Sequence, residues 1–337
     1  VIATPSEVRI EEVLFTLALP EDALREVEAV LAPTRIIFAT PDDDATIRKA
    51  LETVDVAVVQ SDIDERFLAG PKLKWVHCGH SGLTKSAMPG VFEKGIVVTG
   101  SAGRSAEALA QHAFYFALAL TFDARRLIEC QAAHIWRGIP GYDERLGLAG
   151  KTLGIVGLGH TGAAMAALGK AFQMNVIAYT RSARADTPPN VDRLICADAG
   201  GSLDTLIEGA DVIMLATQLN DETHHLFSAR EFALMRPSAF IINMARGPVI
   251  DEEALTAALR SGAIAGAGLD VFDQEPLSPD APIWDAPNVL ITPHMTPALP
   301  DRARRVAEIL LENIRRYRAG EPMLNQLTSR DVYSKRV

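Results

Sequence analysis

The most constraining stretch of this chain is Leu153-Gly154-Ile155-Val156, which runs directly into Gly157-Leu158-Gly159-His160-Thr161-Gly162 and then into a helical run at 163–171. Three glycines spaced G-x-G-x-x-G say little alone, but between a strand and a helix they describe one kind of turn. Gly157 permits the tight bend, Gly159 lets the backbone approach a pyrophosphate, and Gly162 lets the helix lie close to the strand. The amides of His160 and Thr161 then head a helix, where the dipole favours an anion. A strand, turn and helix of this type belong to an α/β fold with a parallel sheet.

The rest of the sequence repeats that alternation. Short β-branched runs at 13–18, 35–39, 54–60, 73–78 and 96–99 predict buried strands, with helical spacing at 21–31 and 44–51. After a Gly-rich break at 138–150 the pattern restarts. Strands are expected at 151–156, 175–179, 193–196, 211–216, 239–243, 264–271 and 288–292, and helices at 161–172, 203–208, 229–235 and 252–261. The apolar run 108–122, interrupted by Gln111 and His112, predicts a buried helix that is apolar nearly all round. It is shorter than the roughly 20 residues a membrane span needs. A last helix at 301–319 has no strand after it and is free to return to the first block. Two doubly wound parallel-sheet domains are expected: one discontinuous, 1–102 plus 296–337, and one at 103–295 inserted within it.

Composition narrows the partners. Of 337 residues, 33 are Lys or Arg and 43 are Asp or Glu, a net charge of −10, so bulk electrostatics disfavour nucleic acid and anionic membranes. Cys78, Cys130 and Cys196 show neither metal spacing nor a disulfide pattern, which points to a reducing, cytoplasmic setting. Residues 1–12 have no basic segment followed by an apolar run, so no leader is expected.

Three later segments carry chemistry. Asn243-Met244-Ala245-Arg246-Gly247, Gly268-Leu269-Asp270-Val271-Phe272-Asp273-Gln274-Glu275-Pro276 and Thr292-Pro293-His294 each follow a predicted strand. The carboxyl ends of such strands are where open α/β sheets bind ligands. Together with the glycine turn, these segments resemble the D-2-hydroxyacid dehydrogenase family over nearly the whole chain, most strongly from Lys151 to His294. The resemblance implies a Rossmann cofactor domain inserted in a flavodoxin-like substrate domain, with the active site between them. It also implies NAD(P)-dependent interconversion of a small 2-keto acid, such as glyoxylate, hydroxypyruvate or a bulkier relative, and the D-2-hydroxy acid. A homodimer through the cofactor domain follows from the same family habit, with His134 and Trp136 as interface candidates.

Hydride addition to a keto carbon puts negative charge on the oxygen, which then needs a proton. Histidine titrates near neutrality and can supply it, and His294 is the candidate. By resemblance, Glu275 is the carboxylate that stabilises the resulting imidazolium. Arg246 can grip the substrate carboxylate with its planar fork and stabilise the developing oxyanion. Asp270 matches an aspartate near the nicotinamide carboxamide, with a buried structural role as the equal alternative. Thr217 and Ala245 are expected cofactor contacts on the same grounds. Ser81 and Gly82 match the loop whose amides hold the substrate carboxylate. A metal site from His77, Cys78 and His80 is not expected, because strand alternation sends His77 and Cys78 to opposite faces and no further cluster completes a ligand set. The pair His224-His225 is assigned no role.

Cofactor choice is the point of departure. An NAD site usually carries Asp or Glu about 20 residues after the glycines, on the ribose 2′-hydroxyl. Here Thr180 stands eighteen residues after Gly162, followed by Arg181 and Ser182, with Arg184 close by. NADP(H) is therefore the expected preference, with NAD(H) possible. Gly100, Gln111 and Gln218 also depart from residues common in the family. A nucleotide-sensing, corepressor-like binding protein on the same fold is the alternative reading.

Overall fold

The computed structural model describes residues 8–145, 147–184, 186–296 and 298–335; Val1–Glu7, part of the segment read above for a leader, lie outside it. The chain divides into two compact units, Val1–Ser105 with Ala298–Val337, and Ala106–Pro297.

The first unit alternates strand and helix: β1 (Glu12–Phe15), α1 (Glu21–Leu31), β2 (Arg35–Phe38), α2 (Asp44–Leu51), β3 (Val56–Val59), α3 (Glu65–Leu68), β4 (Trp75–Cys78), α4 (Pro89–Glu93) and β5 (Val97–Gly100). All pairings are parallel, in the order β2-β1-β3-β4-β5. This is the flavodoxin-like order, with its reversal beside β1. β1, β3 and β4 are buried along their length, so their VAVV-like runs show no alternation. The short α3 and α4 were too brief to leave a helical period in the sequence.

The second unit opens on α5 (Ala106–Phe122) and α6 (Ala124–Ala132). It continues through β6 (Thr152–Val156), α7 (His160–Ala171), β7 (Asn175–Thr180), β8 (Arg193–Cys196), α8 (Leu203–Gly209), β9 (Val212–Leu215), α9 (Ala229–Leu234), β10 (Phe240–Asn243), α10 (Glu252–Ser261), β11 (Gly266–Leu269) and β12 (Val289–Ile291). The seven-stranded parallel sheet is ordered β8-β7-β6-β9-β10-β11-β12, the Rossmann order with one added strand. α5 lies across β11 because that strand presents glycines to it. A Cβ on Gly268 would sit 2.6 Å from Phe116 Cβ, and one on Gly266 would sit 3.2 Å from Leu120 Cδ2. The helix is apolar nearly all round and mostly buried, with Tyr115 and Phe122 facing outward. α6 follows at once, after a left-handed Asp123.

α11 (Arg302–Ala319) belongs to the first unit. Its Val306, Leu310 and Ile314 join Val27, Leu31 and Trp75 in one core, and Tyr317 stacks on Trp75 with ring centroids 5.0 Å apart.

Candidate active site

The glycine turn after β6 is shaped as its spacing requires. Gly157 has φ of 92°, and a Cβ there would lie 2.7 Å from Ala216 O and 2.8 Å from Thr217 Cα. A Cβ on Gly162 would lie 2.1 Å from Gly157 O, whereas one on Gly159 would meet nothing within 4 Å. The outer two glycines are thus demanded by packing, and the middle one leaves open backbone at the head of the twelve-residue α7. This cradle fits the pyrophosphate of a dinucleotide.

Beyond β7, Thr180 is buried and its hydroxyl donates to Ser182 O at 3.2 Å. The Arg181 guanidinium lies 3.7 Å from Glu222 Oε2. Arg184 folds back across the glycine turn and donates to Leu158 O at 2.7 Å. Two guanidinium groups and a serine therefore follow the strand at the place where a carboxylate is usual.

The three later segments meet beyond β10, β11 and β12. Asn243, buried at the end of β10, staples the first: its Oδ1 accepts from Ala245 N at 3.0 Å and its Nδ2 donates to Arg246 O at 3.0 Å. Arg246 in turn donates from its guanidinium to Ala245 O at 2.7 Å. Gly247 has to be glycine, because a Cβ there would fall 1.9 Å from the Phe272 carbonyl carbon. This backbone approach brings the Arg246 turn against the loop that carries Glu275. One Glu275 oxygen accepts from Phe272 N at 3.0 Å, and the other lies 2.7 Å from His294 Nδ1. His294 ends a turn with φ of 50° after Thr292 and Pro293, and its side chain is half exposed. With Nδ1 engaged, Nε2 is the nitrogen left to face a ligand.

Asp270 is only 2% exposed and is heavily used by the protein itself. It accepts from Thr292 Oγ1 at 2.5 Å, Met295 N at 2.9 Å and Thr296 Oγ1 at 3.2 Å. The sequence reading missed both Asn243 and these threonines. The Asn-x-x-Arg-Gly segment held the first signal, since a buried asparagine at a strand end must find backbone partners.

In the first unit, Ser81 and Gly82 follow β4, and Gly82 has φ of 77°. Gly79, before them, is hydrogen-bonded through its amide to Val59 O at 2.8 Å, and its carbonyl accepts from Arg104. His80 Nε2 lies 3.3 Å from Asp62 Oδ2. His77 is fully buried, with its ring nitrogens 2.9 Å from Thr99 Oγ1 and 3.2 Å from Ser101 Oγ. Burial pulls its pKa down to about 3 and pushes the Cys78 thiol up to about 12, so both are inert core groups.

Residues 13–191 match the family of D-isomer specific 2-hydroxyacid dehydrogenase, catalytic domain, and residues 114–296 match the same family's NAD binding domain. A glyoxylate reductase from Korarchaeum cryptofilum is 32% identical over 322 residues, covering 92% of this chain and 93% of that relative. The crystal structure of a D-isomer specific 2-hydroxyacid dehydrogenase from Xanthobacter autotrophicus, in complex with NADPH and MES, superposes with a TM-score of 0.78 at 29% identity, covering 95% of this chain and 99% of that one. A D-lactate dehydrogenase from Aquifex aeolicus, complexed with NAD and lactic acid, gives a TM-score of 0.70 at 28% identity, covering 92% and 96%. Nothing in these likenesses favours the corepressor-like alternative. No helix among the described residues is long and apolar enough to cross a membrane. The likenesses run through both units, and this chain belongs to the D-isomer specific 2-hydroxyacid dehydrogenases, oxidoreductases that use a pyridine nucleotide to interconvert small 2-keto and 2-hydroxy acids.

Proposed function

We propose that the chain reduces glyoxylate, hydroxypyruvate and similar small 2-keto acids to the D-2-hydroxy acid, with NADPH preferred over NADH. The unit Ala106–Pro297 serves as the cofactor domain, and the discontinuous unit as the substrate domain. The observation that carries the reaction is the 2.7 Å contact between Glu275 and His294 Nδ1, which aims Nε2 outward. When bound, the reduced nicotinamide supplies a hydride from C4 to the keto carbon. Arg246 holds the substrate carboxylate and meets the charge that grows on the carbonyl oxygen. His294 Nε2 gives that oxygen its proton, and Glu275 stabilises the imidazolium that donates it. Ser81 and Gly82 hold the substrate carboxylate from the first unit. Gly157, Gly159, His160, Thr161 and Gly162 hold the pyrophosphate, and Thr217, Ala245 and Asp270 border the rest of the dinucleotide.

The cofactor preference rests on Arg181, Ser182 and Arg184. Thr180 contributes by lacking the charge that would repel a 2′-phosphate. Arg184, folded over the glycine turn, would meet that phosphate, and Arg181 would exchange Glu222 for it. A hydrogen bond to a charged group is worth roughly 1.5–3 kcal/mol, and about 1.4 kcal/mol is tenfold. The expected ratio of kcat/KM for NADPH over NADH is therefore about ten- to a hundredfold. Steady-state reduction of a panel of 2-keto acids with each nucleotide tests both statements. Arg181→Ala and Arg184→Ala together should erase most of the difference. Equal or better use of NADH by the parent would overturn the preference.

The same unit carries exposed Ile128 on α6 and exposed Ile135 and Trp136 just after it, the last 91% exposed. Exposed apolar side chains of this size suit a second copy of the chain, and a homodimer through this unit is the proposed assembly. Light scattering should give twice the chain mass, and Trp136→Asp should weaken it.

A further inference from the structure

His112, on α5, takes no part in the chemistry proposed above, yet its buried ring joins both hydroxyls that serve Asp270. Its Nδ1 lies 2.9 Å from Thr296 Oγ1 and its Nε2 lies 3.2 Å from Thr292 Oγ1. The same hydroxyls reach Asp270 at 3.2 and 2.5 Å, and Asp270 also accepts the Met295 amide at 2.9 Å. Each hydroxyl has one proton, and both hydroxyls donate to Asp270. Both hydroxyl protons are therefore spent on Asp270, and a neutral ring has one proton for its two contacts, which the shorter, 2.9 Å to Thr296, takes. That assigns His112 the Nδ1–H tautomer, donating to Thr296, and leaves Nε2 packed against Thr292 Oγ1 without a hydrogen bond. A neutral ring agrees with burial, which lowers the His112 pKa against the opposing charge of Asp270. The ring is fixed by stacking on Phe116, 4.8 Å between centroids, and Phe116 is seated against Gly268.

We propose that His112 is a positioning residue: through Thr296 it clamps Asp270, and Asp270 holds the Met295 amide and with it the left-handed turn of His294. The inference rests on the reading of His294 as the proton donor, but the clamp itself is measurable without turnover.

The test compares the parent chain with His112→Phe, which keeps a ring on Phe116 and loses both nitrogens, and with His112→Gln, which restores one donor and one acceptor. Amide hydrogen exchange at Met295, with no substrate present, should quicken at least about tenfold in His112→Phe while the β11 and β12 ladders keep their protection. With NADPH and glyoxylate, kcat should fall about ten- to a hundredfold, as for a displaced catalytic group. KM for glyoxylate and Kd for NADPH should stay within about threefold. His112→Gln should recover part of kcat and of the protection at Met295. If His112→Phe does not fold, Thr296→Val removes the link from Nδ1 to Asp270 and carries the same expectations. Unchanged exchange at Met295 in a folded variant would overturn the proposal, and so would a kcat loss matched by an equal loss of NADPH affinity and protection throughout the unit. If Met295 exchange responds as expected but the parent turns over no 2-keto acid, the clamp is upheld and the reading of the reaction falls.

Discussion

His294 holds its imidazole on a backbone with φ of 50°, a region that non-glycine residues enter in only a few per cent of cases. Such a turn persists only where its surroundings over-determine it, here through Glu275 on the ring and Asp270 on the next amide. His294→Ala should therefore lower kcat by about 10²–10⁴-fold, the usual cost of one general acid, with Kd for NADPH nearly unchanged. A kcat within threefold of the parent would end the assignment. Arg246 makes a different case, since its role depends on the shape of its donors. Arg246→Lys keeps the charge but loses the fork, so kcat/KM should drop nearly as far as in Arg246→Ala. A lysine variant that keeps most of kcat/KM would show that the field of the side chain matters and its geometry does not.

Elements are held to each other at this site by the absence of side chains. Gly247 lets the β10 and β11 loops touch, and Gly268 lets α5 lie on β11. Gly268→Ala puts a carbon 2.6 Å from Phe116 Cβ, close to the helix backbone, where a rotamer change gives no relief. The expected cost is about 1–3 kcal/mol of stability, read as a lower urea midpoint, and kcat should fall as well because His112 rides on the displaced helix. A variant as stable as the parent would mean that α5 shifts at no cost. The strands of both sheets were legible because buried parallel strands read as unbroken β-branched runs, as in Val56–Val59 and Val212–Leu215. α6 was not, since its amphipathic pattern starts one residue after an apolar helix and only the left-handed Asp123 separates them. The Arg246, Glu275 and His294 segments were legible because each sits at a strand end in a recognisable string. His112 was hidden for the opposite reason: in the sequence it is a polar interruption of an apolar helix, and its partners lie about 180 residues away.

At the scale of the whole molecule, the first unit should lose stability in acid. His77 is buried in the first unit with its pKa held down to about 3. Above about pH 6.5 the ring is neutral in both folded and unfolded chains and contributes no pH dependence. As pH falls from about 6.5 toward 3, the unfolded chain takes up a proton that the fold refuses, so stability is lost over that window. At about 1.36 kcal/mol per unit the loss comes to roughly 4–5 kcal/mol. Urea unfolding, followed by amide exchange in β3 to β5, should show a midpoint that drops with acid, and His77→Gln should flatten the slope. An unchanged slope would mean the ring is not the source. The placement of α11 has a consequence for how the chain is made. Residues 106–297 have all been synthesised before the helix that covers one face of the first sheet exists. At about 5–20 residues per second, the first-made unit waits about 10–40 seconds for its last-made helix. Through that interval the face awaiting Val306, Leu310 and Ile314 stays open to water, and to any chaperone that binds bare apolar surface. The unit that starts first on the ribosome finishes last.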